Sequence, residues 1–385
     1  MDISEILNHS GEERASYFGA VSPPIFQTTN FCFPDVSSMR ESLKKEMEVP
    51  FYTRGFNPTV GILRKKIAAL EKAEDALVFG SGSAAIASAV LSVVSSGDHV
   101  LCVSKPYSWT HSLLSKYLAK FNVASDFSPG GDAKEFEKQI RPETKLIYLE
   151  SPNSLTFEIQ NLAAIAAIAK SRNIVTIADN SYASPLNQSP ISLGIDLVVH
   201  SASKYLNGHS DVVAGVVAGS SERIKKMMAT EFMTLGAIIS PHDAWLILRG
   251  LRTLEIRVNR SSESAVKVVS FLASHPCVET LYYPMLESHP GSDIAKKQMC
   301  KGGGLLSMKI KTSDEAGIER FCNSLKRFLL ATSWGGYESL VFPVCAVQAS
   351  RSFENPLPFN LVRLYIGLEN PDDLISDLKQ ALEKV

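Results

Sequence analysis

Residues 174–215 read IVTIADNSYASPLNQSPISLGIDLVVHSASKYLNGHSDVVAG. A run rich in β-branched residues closes on Asp179, a second apolar run over residues 196–200 leads into Ser201, Ala202, Ser203 and Lys204, and a Gly-His-Ser-Asp turn follows. Apolar runs of this length bounded by turn residues predict strands. An acid and a lysine therefore stand at the carboxyl ends of neighbouring strands, where open α/β sheets bind their ligands. An amine held there can form a Schiff base. Pyridoxal phosphate (PLP) needs such a lysine, an acid for its ring nitrogen, and hydroxyls with backbone N–H groups for its phosphate. All three have candidates in this stretch and its neighbours.

Outward from it, residues 51–240 alternate in the α/β manner. Strands are expected at 76–79, 100–103, 146–150, 174–179, 196–200 and 212–218, with helices at 59–73, 84–94, 108–119 and 162–171 between several of them. That pattern gives a doubly wound, mostly parallel sheet. Residues 1–50 carry short apolar runs broken by Pro23, Pro24, Pro34 and Pro50, which suits an arm clasping a neighbouring subunit. After Pro241 a long helical pattern, with Gly250 as a place to bend, leads into a second domain over residues 241–385. Strands at 305–310 and 339–341 and a last helix at 372–382, opened by Asn370 and Pro371, are expected there.

Composition narrows the class of ligand. The 385 residues hold 39 basic and 40 acidic side chains, a net charge of -1, which leaves no electrostatic footprint for nucleic acid or an anionic membrane. A small molecule is the expected partner. The six cysteines are scattered without C-x-x-C or His/Cys spacing, so reduced thiols and no metal site are expected. With no basic or apolar leader and no run of ~20 apolar residues, the expected location is the cytoplasm.

Four groups suit the cofactor. FGSGSAA (79–85) ends a strand and opens a helix, so backbone N–H groups at Gly82 and Ser83 can face an anion. Such a turn also serves simply to seat a helix on its strand. Ser201 and Ser203 flank Lys204 closely enough to add hydroxyls, or they are turn residues. Asp179 either pairs with a protonated pyridine nitrogen or caps a turn. Tyr107, in KPYSWT (105–110), follows a strand and can stack on a ring while its hydroxyl handles protons; an aromatic there is otherwise a core residue.

These residues, with YFGAVSPPIFQTT (17–29), YTRGFNPT (52–59), SGSAAI (81–86), SWGGYESL (333–340) and LVRLYIGLE (361–369), resemble the PLP-dependent enzymes of cysteine and methionine metabolism, the trans-sulfuration family. The likeness spans nearly the whole chain. It implies a type I PLP-dependent transferase fold, aspartate-aminotransferase-like, with a mostly parallel seven-stranded sheet and a smaller C-terminal α/β domain. It implies that Lys204 carries the cofactor and then serves as mobile base, that Asp179 faces the pyridine nitrogen, and that Gly82, Ser83, Ser201 and Ser203 hold the phosphate. Tyr52 and Arg54 would reach the neighbouring subunit's phosphate, which requires at least a dimer and suggests a tetramer built as a dimer of dimers. Arg363 would clamp a substrate carboxylate, a bidentate task suited to a guanidinium, with Ser333 and Trp334 completing the substrate site.

The reaction implied is that of the family's β-lyases, cleaving L-cystathionine, a sulfur amino acid, to homocysteine, pyruvate and ammonia in methionine biosynthesis. SWGGYE (333–338) resembles the β-lyase loop, γ-type members usually having Leu in place of Trp334, and ESPNSLTFE (150–158) resembles the β-lyase form too. RGFNPT (54–59) is the γ-type form, so a γ-synthase or γ-lyase stays open, as does a non-catalytic PLP-binding protein. Ser203 stands where threonine is usual, and Ser108 and Trp109 where many members have two glycines.

Overall fold

Seven strands form the sheet that carries Asp179 and leads into Lys204: β1 (Asp75–Phe79), β2 (His99–Val103), β3 (Ala124–Ser128), β4 (Thr144–Glu150), β5 (Val175–Asp179), β6 (Leu197–Ser201) and β7 (Gly215–Gly219). This computed structural model describes residues 2–348 and 357–385. The sheet order is β1-β7-β6-β5-β4-β2-β3, with β7 antiparallel to both neighbours and the remaining pairs parallel. Helices cover both faces, which is why β2 and β7 are buried along their whole length and read as continuous apolar or small runs. Register sets the ends of the central strands level: Glu150 lies opposite Asp179, and Asp179 opposite Val199. The mouth of the sheet is therefore a line of strand ends.

Local signals explain the helices around that mouth. Asn57 caps Pro58–Glu71 by accepting from the Thr59 N–H (3.0 Å), and Ser81 caps Gly82–Leu91 by accepting from Ala84 (3.1 Å). The alanine-rich helix Leu162–Ser171 buries Leu162, Ile165, Ala166 and Ala169, small enough to lie close on the sheet. A second sheet, β8 (Val278–Tyr282), β9 (Leu305–Ile310), β10 (Leu329–Leu330), β11 (Leu340–Pro343) and β12 (Leu361–Tyr365), runs β10-β11-β12-β9-β8 and is antiparallel except for β10 with β11. Among the described residues no helix is long and apolar enough to cross a membrane.

Several expectations need correcting. The helix expected over 108–119 breaks into an α-helical turn (Ser108–Ser112), a wider π turn (Leu113–Tyr117) and a tighter 3₁₀ turn (Leu118–Phe121). The strand expected from residue 212 starts at Gly215. Gly250 is no bend. It lies inside Pro241–Leu251, and the chain breaks afterwards, before Leu254–Ala273. A Cβ at Gly250 would sit 2.2 Å from the Asn207 carbonyl oxygen, so the glycine allows two backbones to touch. Arg257, buried, then donates to the carbonyls of Tyr205 (3.0 Å) and Gly250 (2.8 Å).

The first residues pack onto their own chain. Ile6, Leu7 and Tyr17 are buried, and the wholly buried Lys66 donates to the carbonyls of Ile6 and Leu7 (3.0 Å each) and pairs with Glu12 (3.1 Å). From Phe18 onward the apolar side chains turn outward, with Phe18, Val21, Val36, Met39 and Leu43 exposed.

Candidate active site

Lys204 sits in a turn directly after β6, where its N–H bonds to the Ser201 carbonyl (3.1 Å) and its own carbonyl accepts from Gly208 (2.8 Å). Its Nζ donates to Ser333 Oγ (2.5 Å) and lies 5.7 Å from the centre of the Trp334 ring. Burial pulls its ammonium down to about 8, Arg363 adds to that, and Asp179 works against it. Asp179 is buried at the end of β5 and accepts from the Ser181 N–H (2.9 Å). Burial raises its pKa, opposed by Ser181, His200 and Lys204. A lysine eased toward its neutral form thus shares a site with a buried acid.

Beside them the backbone leaves a cradle. A Cβ on Gly82 would lie 3.1 to 3.2 Å from Ser201, and one on Gly215 would lie 2.2 Å from the Ser81 carbonyl oxygen. The first turn of Gly82–Leu91, with Ser83 exposed on it, is therefore pressed against the end of β6. Ser201 donates its N–H to Ser181 Oγ (2.7 Å). Ser203 behaves differently: its hydroxyl accepts from the Ala214 N–H (2.9 Å) and donates to the Ala214 carbonyl (3.3 Å), tying the lysine turn to the lead-in of β7.

The second sheet supplies the facing wall. Ser333 takes φ +77°, a left-handed conformation uncommon for serine, and this places its hydroxyl on Lys204 while its carbonyl accepts from Arg363 Nη2 (3.3 Å). Arg363, buried in β12, also donates to the Ser154 carbonyl (3.1 Å) and lies 4.9 Å from the Phe342 ring. Burial lowers its pKa to about 10. Among the described residues no carboxylate forms an ion pair with it. Trp334 is only 6 % exposed and edge-on to Tyr205 at 5.4 Å, so it forms the floor under Lys204. Tyr107 follows β2, 41 % exposed, and donates its N–H to Glu150 Oε2 (2.6 Å).

A sequence model of the Cys/Met metabolism PLP-dependent enzymes matches residues 5–383. The chain belongs to that family. An L-methionine gamma-lyase of Fusobacterium nucleatum is 39 % identical over 98 % of this chain and 97 % of its own length, and a cystathionine beta-lyase of Lactococcus lactis is likewise 39 % identical over 98 % and 97 %. The crystal structure of metB from Corynebacterium glutamicum superposes with a TM-score of 0.94 at 34 % identity, covering all of this chain and 98 % of that one. The fold is accordingly the family's α/β architecture with its seven-stranded sheet, and the family is PLP-dependent. The coarse activity on which family and relatives agree is that of a PLP-dependent lyase.

The residues present fit that cofactor. A side-chain-free cradle at Gly82 beside a serine hydroxyl suits a phosphate, a partly deprotonated Lys204 suits imine formation, and Asp179 suits a pyridinium. Tyr52 and Arg54, expected at a neighbouring subunit's phosphate, contact each other (5.6 Å), and Arg54 lines a small cavity with Phe56, Val78 and Ile238. Two carboxylates escaped the sequence reading. Glu150 holds the Tyr107 backbone beside Asp179, and Glu71, fully buried on Pro58–Glu71, bonds to His200 and accepts from Asn180 (3.2 Å). No short motif joins either to its partner, since they meet only through the fold.

Proposed function

We propose that this chain is a cystathionine β-lyase, cleaving L-cystathionine to homocysteine, pyruvate and ammonia. The observation that supports the reading is the seat of Lys204, fixed by Ser333 and floored by Trp334, the residue at which the loop 333–338 resembles that of β-lyases. Bound PLP supplies the electron sink that stabilises negative charge at the substrate Cα. Arg363, held by the carbonyls of Ser154 and Ser333, is poised to exchange them for the substrate carboxylate, which orients the Cα–H bond toward Lys204. The Lys204 amine accepts that proton at Nζ, and its lowered pKa keeps a useful fraction neutral near pH 7. Lys204 or the Tyr107 hydroxyl returns a proton to the departing sulfur. Asp179 stays negative against the ring nitrogen; Gly82, Ser83 and Ser201 hold the phosphate.

Tyr52 and Arg54 belong in this proposal to the phosphate site of a neighbouring subunit, in a cytoplasmic dimer of dimers. The exposed apolar side chains from Phe18 to Leu43 supply surface for that contact. A γ-type reaction is the second reading, favoured by the Arg54 motif and by the 39 % identical methionine gamma-lyase. Product analysis with cystathionine separates the two. Pyruvate with homocysteine supports the β-lyase; 2-oxobutanoate with cysteine, or no cleavage, overturns it.

A further inference from the structure

Glu150 is a buried acid without an assigned role. It ends β4 in register with Asp179 on β5, so the two side chains leave the same face of the sheet from adjacent strands. Its Oε2 accepts from the Tyr107 N–H (2.6 Å). One carboxyl group thus touches the residue expected to stack on the cofactor ring and faces the residue expected to pair with the ring nitrogen. Two ionised carboxylates in this dry setting would repel strongly, as like charges sharing one buried site do.

We propose that Glu150 is a positioning residue that seats Tyr107 and shares a single negative charge with Asp179, so that the charge rests on Asp179 while Glu150 keeps the proton. This rests on the assignment of Asp179 and Lys204 to the cofactor. The groups facing the pair sort the charge in this direction. Asp179 has the Ser181 N–H, with His200 on β6 and Lys204 beside it, to favour its anion. Glu150 has the N–H groups of Tyr107 and Ser154, with Asp179 opposing and the Cys102 and Tyr148 side chains as neighbours. Burial first and Asp179 second push the Glu150 carboxyl up to about 8.

The sign for stability follows from that direction. An acid whose pKa is raised in the folded state contributes stability that is full below its unfolded value, near 4.5, and is lost as pH rises through about 8. Melting of the cofactor-free protein followed by circular dichroism from pH 5 to pH 9 reads this without turnover. Wild type should lose melting temperature across the window relative to Glu150→Gln, which keeps an acceptor for Tyr107 but cannot ionise. In an Asp179→Asn background the same difference should move to lower pH, because the repelling charge is gone. Identical pH profiles for wild type and Glu150→Gln, or a difference that stays put in the Asp179→Asn background, would overturn the pairing.

The Tyr107 half is read by titrating PLP into apoprotein at pH 7 and following its visible band. Glu150→Leu, which removes the acceptor, should weaken binding about tenfold, the worth of one lost hydrogen bond, while Glu150→Gln stays within about threefold of wild type. Equal affinities for Gln and Leu variants overturn the seating role. If wild type forms no imine at Lys204, the cofactor assignment itself fails, an outcome distinct from both.

Discussion

The two walls of this site are made differently. On the large sheet the groups around Lys204 are short: Gly82, Ser201 and Asp179 stand on strand ends or a capped helix, and the backbone fixes where they are. On the small sheet the work falls to a long side chain, Arg363, whose guanidinium is aimed by the carbonyls of Ser154 and Ser333, one of them on a left-handed residue. The first wall can hold a cofactor because it is rigid. In the proposed reaction the second would receive and release a substrate, because its bonds to carbonyls are exchangeable.

Removing the covalent anchor tests the rigid wall most severely. Lys204→Ala should lower lyase turnover by at least about 10⁴-fold and abolish the visible imine band, measured by pyruvate release and absorbance together. Retained turnover would end the division of labour described here. The exchangeable wall comes next. Arg363→Lys should cost about 10²-fold in kcat/KM, ~2.7 kcal/mol, while the imine band persists. Loss of the band in this variant would mean that the two walls are not separable.

Two smaller effects sharpen the contrast. Gly215→Ala forces a Cβ toward the Ser81 carbonyl oxygen and should cost about 1–3 kcal/mol of stability by chemical denaturation, more than Gly82→Ala, whose contacts at 3.1 Å can give way. A reversed order would deny the cradle its rigidity. The amine of Lys204 should react with added PLP about tenfold faster at pH 9 than at pH 7 and level off above about 8. A rate still climbing steeply at pH 9.5, as for an ordinary lysine, would show that the burial of Nζ has no chemical effect.

Where the sequence is readable, it is readable for reasons that belong to the rigid wall. Asp179 and Lys204 end apolar strands close together in the chain, so periodicity alone places both at one mouth. β3 escaped notice because it is an edge strand of ASDFS with a largely half-exposed pattern, lacking the apolar run of its neighbours. Arg363 on β12 drew attention only through family likeness, since an alternating strand with one charge normally faces water. Gly250 misled because a glycine in a helix reads as a bend, whereas the need it meets is a carbonyl of Asn207 more than forty residues earlier. Glu150 and the Glu71 contact with His200 are set by strand register and helix docking, which no local pattern encodes. Ser203 was legible as a hydroxyl near the site but not in its direction, because its bonds to Ala214 depend on how the turn closes.

Arg257 gives the molecule a mechanical property. Its guanidinium fastens the carbonyl next to Lys204 to the end of one linking helix from the start of the other, the helix Leu254–Ala273 that leads to the small sheet. Any swing of that helix must tug on the lysine's own peptide chain. In the proposed reaction, seating a substrate and placing the amine that takes its proton would therefore be worked by a single lever.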